Sequence, residues 1–433
     1  MPFPENTPPP LPEFAPAPGQ GGPGAPLPRP EPLPLPELLT SPPADFAGGL
    51  GWGFRRYERL PAPPARVYAR HLGLFLLTLL TTTLAGVQLT RGDVGLPPLG
   101  VWGLPPLPGP GEWARGLWFA LPFLGVLTVH EFGHYFTARR NRVATSLPYF
   151  IPFPLGLGTF GAVIRIQDRI FSRREFFDIG LAGPLAGFVV AVPLLIYGFT
   201  HLPPLDYLFQ IHPEYARFGA NYAQYVYPPG APDGISLARP LLYRLLEFGF
   251  ADPARLPHPN ELLHYPVLLA GALALFFTAL NLLPMGQLDG GHILYGLLGA
   301  QRFNRLARML FVGFIFYAGL GLFSPRSAPD TWLYWGPAYA LYLGLVCWRA
   351  LPTPRQGLLL AAGIWAAQVA VAAAVPGVLG NPGWLVFGLL LGRLTGIYHP
   401  PAPDDRALSR GRQWLGWAMV VIFVLCFTPS PFK

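Results

Sequence analysis

The chain has 433 residues, 52% of them hydrophobic and only 12% charged, with a formal net charge of +8. Soluble domains carry about a quarter charged residues, so this composition excludes a water-dispersed enzyme and points to lipid. The two cysteines, Cys347 and Cys426, lie in apolar runs and exclude a disulfide-stapled fold.

Residues 1–43 hold 17 prolines among small and acidic residues. Such a segment cannot bury a core, and 1–48 reads as a disordered, proline-rich cytoplasmic arm. It is a solvated tail on composition, and a docking arm for a partner is the alternative reading. The start of the chain lacks a basic region followed by an apolar run and a small-residue cleavage site, so no secretory signal peptide is expected.

A basic stretch with Arg55, Arg56, Arg59, Arg66 and Arg70 comes next. Apolar runs near spanning length then follow at 71–90, 116–137, 179–199, 264–285, 308–324, 331–349, 357–378, 383–398 and 413–428. These predict eight or nine spans. The first span and its loop cover 71–115, a core covers 116–300, and additional spans cover 301–433.

Arginine placement sets the orientation. The segment between the second and third runs carries Arg139, Arg140, Arg142, Arg165, Arg169, Arg173 and Arg174, whereas the segment before it carries only Arg91 and Arg115. Basic loops stay cytoplasmic, so the amino end, 138–178 and the region after 285 are expected on that side. The positive charge is then a matter of topology, and nucleic acid is not an expected partner. The lipid bilayer is.

The second run contains VLTVHEFGHYFTARR, with His130, Glu131 and His134. Positions i and i+4 share one helix face, so both imidazoles reach one Zn²⁺ with the glutamate beside them as general base. Ionisable groups deep in an apolar span are functional by default. The bland alternative is a polar patch that pairs helices. Two histidines leave a catalytic zinc one protein ligand short. The plausible donor is Asp289, at the end of the fourth run in FFTALNLLPMGQLDGGHILYG, where Pro284 breaks the helix and glycines permit sharp turns. A structural aspartate capping a re-entrant helix is the alternative there. His292 ranks second as a ligand, and His264 lies too far toward the outer side. His71, His201, His212, His258 and His399 sit at span ends or in loops and are expected to be interfacial.

With these residues in place, the chain resembles the site-2 protease family of intramembrane zinc metalloproteases. The resemblance covers about 116–300: HEFGH at 130–134, PYFIPFPLGLGTFGAVIR at 148–165, FDIGLAGPLAGFVVAVP at 177–193 and NLLPMGQLDGGH at 281–292. It implies an all-α polytopic membrane protein with a three-helix catalytic core, additional spans and a short membrane-associated β-like segment. By resemblance, His130, His134 and Asp289 match the zinc ligands and Glu131 the catalytic glutamate. Asn281 matches an asparagine that helps hold substrate or stabilise the intermediate. Gly183, Pro184 and Gly187 match the third core helix.

The expected reaction is hydrolysis of single-span membrane proteins in a bacterial plasma membrane, with the active site toward the cytoplasm. The strand-like order of 148–166, around Gly161 and Ala162, suggests an edge to which an unwound substrate pairs. A loop that merely plugs the site is the equal alternative. The outer loop after the third run is too short and too poor in strands for a PDZ domain. A transporter or an inactive regulator is the competing class, although no internal repeat or spread of ionisable groups supports a transport pathway.

Overall fold

The computed structural model describes residues 64–91, 108–228 and 236–431, and the proline-rich arm lies outside them. The first helix, α1 (Ala65–Thr90), begins directly after Pro64. Helix α2 (Pro110–Arg140) has proline at its first position, and the Glu112 carboxylate accepts the Gly109 N–H at 2.7 Å. At 31 residues it is about 46 Å long, more than a bilayer core requires. A hairpin follows. Strands β1 (Tyr149–Pro152) and β2 (Thr159–Val163) pair antiparallel, Tyr149 opposite Val163 and Phe150 opposite Ala162, with an irregularity before Pro152.

Helix α3 (Arg173–Thr200) opens with a capping box. The Ser172 hydroxyl accepts the Glu175 N–H at 3.1 Å, and Glu175 accepts the Ser172 N–H at 3.2 Å. The connection to the next long segment is built from short helices: α4 (Asp206–Ile211), a 3₁₀ segment (Pro213–Asn221), α5 (Tyr222–Val226), α6 (Leu241–Phe250) and a second 3₁₀ segment (Pro259–His264).

The apolar run at 264–285 is not one helix. Its helix, α7 (Pro266–Asn281), stops short of the run's end, and after a turn α8 (Asp289–Leu298) begins beyond the run. Hydropathy stays high through Leu282, Leu283 and Met285, but Pro284 removes a backbone donor and Gly286 takes a φ of +58°. A Cβ on Gly286 would meet the Gly396 carbonyl oxygen at 2.1 Å, so this turn requires glycine for both its conformation and its packing.

The remaining runs form α9 (Ala300–Ala318), α10 (Pro329–Cys347), α11 (Pro354–Ala374), α12 (Trp384–Leu389, continuing as a wide turn to Thr395) and α13 (Arg410–Cys426). Among the described residues, four helices are long and apolar enough to cross a membrane: α1, α2, α3 and α11. All nine expected runs contain a helix, but the others are shortened by breaks or diluted by polar residues. Exposed apolar side chains such as Leu72 and Leu76 on α1, Trp118 and Leu121 on α2, and Val189 on α3 face outward. This is the surface of a multi-pass membrane protein, in which lipid rather than water meets the apolar face.

The largest apolar cluster lies where α2, α3 and α7 meet, around Phe119, Phe123, Leu195 and Leu275. A second joins α9, α10 and α11 around Phe311, Tyr339 and Ile364. Buried Gln368 ties these three helices together. Its carbonyl accepts the Tyr339 hydroxyl at 2.9 Å, and its amide donates to the Ile315 and Phe316 carbonyls at 3.1 and 2.9 Å. The last helix, α13, packs on α3, α7 and α8, so the carboxy-terminal part belongs to the core rather than beside it.

Candidate metal centre

His130 and His134 stand one turn apart on α2 and are both buried. Their Nε2 atoms are 3.0 Å apart. Asp289 Oδ2 lies 3.4 Å from His130 Nε2 and 3.3 Å from His134 Nε2. A tetrahedral zinc with bonds of about 2.0–2.1 Å separates its ligands by about 3.3 Å, so these three atoms fit three corners of such a site. The donor set, two imidazole nitrogens and one carboxylate oxygen, suits that ion.

Two of the three ligands are held by groups the fold supplies. His134 Nδ1 donates to the Ile179 carbonyl at 2.7 Å, which leaves Nε2 as the free donor toward a metal. Asp289 occupies the first turn of α8, where the helix dipole favours a carboxylate. The turn before it is fixed by a hydrogen bond from the Gly286 N–H to the Ile397 carbonyl at 3.0 Å. Glu131 is buried, its Oε1 4.0 Å from His130 Nε2, and the backbone of Ile164, next to β2, faces its carboxylate. Asn281, the last residue of α7, brings its amide Nδ2 to 3.3 Å from His130 Nε2. A second buried or half-buried cluster of metal-ligating types, His212, Glu261 and His264, lies at the opposite end of the helices.

Sequence reasoning thus brings His130, Glu131, His134, Asn281 and Asp289 to one place. Gly161 and Ala162 lie on β2, outside the ligand cluster. Gly161 is buried with a φ of +101°, while Ala162 packs against the main apolar cluster. His292 is turned elsewhere, its Nδ1 2.8 Å from His399 Nε2 and its ring stacked on Phe176. Two of the histidines expected at span ends or in loops are packed inside the protein. His399 and His71 are buried, the latter with Nδ1 bonded to the Pro148 carbonyl at 2.9 Å.

Two contributors carry no chemical signature in sequence. Ile179 acts through its carbonyl, which any residue has. Ile397 acts across more than a hundred residues. Gly183 did carry a signal, since Gly180, Gly183 and Gly187 form a small-residue stripe that lets helices approach closely.

Residues 118–320 match Peptidase family M50. The chain is 31% identical over 257 residues to "Probable zinc metalloprotease EGY1, chloroplastic" of Oryza sativa subsp. japonica, covering 57% of this chain and 38% of the relative. It is 30% identical over 249 residues to the protein of the same name in Arabidopsis thaliana, covering 56% and 38%. To "Probable zinc metalloprotease EGY2, chloroplastic" of Oryza sativa subsp. indica it is 29% identical over 260 residues, covering 55% and 43%. The chain therefore spans about two fifths of the length of the curated relatives it matches. No solved structure matches it. The M50 match begins inside α2, ends just past α9, and contains His130, Glu131, His134, Asn281 and Asp289, so over that stretch this chain is similar to peptidase family M50.

Proposed function

We propose that the chain is an intramembrane zinc endopeptidase that hydrolyses peptide bonds of single-span membrane proteins. The observation that carries this reading is the triangle of His130 Nε2, His134 Nε2 and Asp289 Oδ2, at tetrahedral-edge separations, with the Glu131 carboxylate beside it. His130, His134 and Asp289 hold the zinc. When bound, that ion supplies Lewis acidity that polarises a scissile carbonyl and eases the ionisation of water.

The chain's own residues do the rest. Glu131 takes the proton from water at its carboxylate and returns it to the leaving amine. The Asn281 amide, at 3.3 Å from His130 Nε2, donates to the carbonyl oxygen as negative charge develops there. Ile179 keeps the His134 ring in the orientation and tautomer that the ligand role needs.

A substrate helix must unwind to expose its carbonyls. The β1–β2 hairpin supports one way to hold it. It is a two-stranded sheet among the described residues, and β2 leads to Ile164 beside Glu131. A substrate strand added along Gly161 and Ala162 would run past the general base. Ala162→Pro is the appropriate probe, because proline at Gly161 would have to abandon a φ of +101° and disrupt the hairpin itself.

The proposed setting is a bacterial plasma membrane, with the basic 138–178 segment and the nearby site toward the cytoplasm. The deciding experiment is cleavage of single-span reporter proteins by the purified chain in liposomes, with Glu131→Gln as control. Cleavage by wild type alone supports the reading. Equal cleavage by the variant overturns the assigned base, and zinc-free wild-type protein overturns the site.

A further inference from the structure

We propose that His212, Glu261 and His264 form a second metal site, of zinc class, at the end of the helices opposite the basic loops. Three lone-pair atoms converge there. His212 Nε2 and His264 Nε2 are 3.0 Å apart, and Glu261 Oε2 lies 3.3 Å from the latter and 3.9 Å from the former.

The surrounding bonds fix which atoms are free. His264 Nδ1 lies 2.8 Å from the Thr90 carbonyl oxygen, which can only accept, so the ring proton sits on Nδ1. His212 Nδ1 lies 3.1 Å from Glu214 Oε1, again an acceptor. In the neutral rings both Nε2 atoms then carry lone pairs aimed at each other. Glu261 uses its other oxygen to accept the Tyr227 hydroxyl at 2.5 Å, which leaves Oε2 toward the histidines. This is the second-shell pattern of a metal site: the outer nitrogen of each histidine is bonded to a carbonyl or carboxylate, and the carboxylate ligand is itself hydrogen-bonded.

Burial calls for neutralisation of the carboxylate. Glu261 is 1% exposed and His264 4%. A buried carboxylate needs compensation, and its ion-pair partners among the described residues are these two histidines. A metal, or an extra proton on an imidazole or on the carboxyl group, must occupy the centre. Two imidazole nitrogens and one carboxylate oxygen select zinc and its transition-metal neighbours over the all-oxygen sites of calcium and magnesium. Two of the three separations already match tetrahedral edges. The wide one ends at His212, the most exposed member, whose side chain is 25% accessible.

The site would join three distant stretches. Thr90 ends α1, His212 follows α4, and Glu261 and His264 lie just before α7, the helix that ends at Asn281. The metal would fasten the connecting loop to the ends of two core helices, and the proposal stands apart from the reading of the first site.

The test is metal content of the full chain in detergent after zinc loading and gel filtration. Wild type is expected to hold two zinc ions per chain. His212→Ala, at the half-buried ligand, should hold one, and His201→Ala, an exposed histidine at the start of the same loop, should keep two. A chain with both His134→Ala and Asp289→Ala should still bind one Co²⁺ with the visible absorption of a tetrahedral site, and adding His212→Ala should remove it. One zinc in wild type that His212→Ala leaves in place would overturn the proposal and assign the centre to a proton. Absence of the cobalt absorption in the double variant would overturn it independently. One zinc in wild type that His212→Ala removes would uphold this site and count against the first.

Discussion

Gly183 on α3 lies directly against the imidazole of His134: a Cβ built on Gly183 would stand 2.1 Å from His134 Nε2 and 2.4 Å from Cε1. No real Cβ contact is that short, so a methyl group there must displace the ring. Gly183→Ala is therefore expected to lower zinc affinity by at least about tenfold, the scale of a lost ligand orientation. Gly125→Ala on α2, where a Cβ meets nothing within 4 Å, should leave zinc unchanged. Metal content of the two purified variants checks this.

Glu131 touches the site without completing the ligand triangle. Glu131→Gln is expected to retain zinc at wild-type stoichiometry and lose about 10²–10⁴-fold in cleavage rate, the range of general acid–base contributions. Single-turnover cleavage of a reporter in liposomes, beside zinc analysis of the same sample, separates the two effects.

Asp289 and His292 are three residues apart yet face different partners. Asp289→Ala is expected to lose most of the bound zinc. His292→Ala should keep it, because His292 pairs with His399 rather than with the ligand triangle. A zinc titration monitored by competition with a chromophoric chelator distinguishes them.

Arg412 on α13 forms a two-pronged bond with Asp178 on α3, Nε to Oδ1 at 2.7 Å and Nη2 to Oδ2 at 2.9 Å. Both side chains are largely shielded, so the pair is expected to contribute about 1–2 kcal/mol. Thermal unfolding of Arg412→Ala, Asp178→Ala and the double variant should show that coupling. Arg174, at 3.5 Å from the same carboxylate, should hold part of the interaction in Arg412→Ala.

Ala162→Pro is expected to keep zinc while lowering reporter cleavage by about tenfold or more if substrate adds as a strand, since proline removes one backbone donor from that edge. Unchanged cleavage at unchanged zinc would return the hairpin to a covering loop.

The ligands were legible in sequence because each rests on a local rule. His130 and His134 obey helical spacing, and Asp289 follows a proline break with glycines. What was hidden is non-local. The hold of Ile397 on Gly286 and the pairing of His399 with His292 bridge more than a hundred residues through groups that carry no motif. His212 and Glu261 are likewise 49 positions apart, and only folding of the loop makes them neighbours. Hydropathy alone does not show the break after α7, whereas Pro284 marks it in the sequence. Leu282, Leu283 and Met285 are as apolar as the helix before them, but Pro284 and Gly286 end α7 and turn the chain.

The bond between Gly286 and Ile397 also sets an order of assembly. Synthesis delivers His130, His134 and Asp289 long before the carbonyl that pins the turn ahead of Asp289, and Arg412 reaches Asp178 later still. A nascent chain thus owns every ligand while the support beneath one of them is still in the ribosome. The support beneath Asp289 is made after every ligand, and the helices that follow α8 complete the centre.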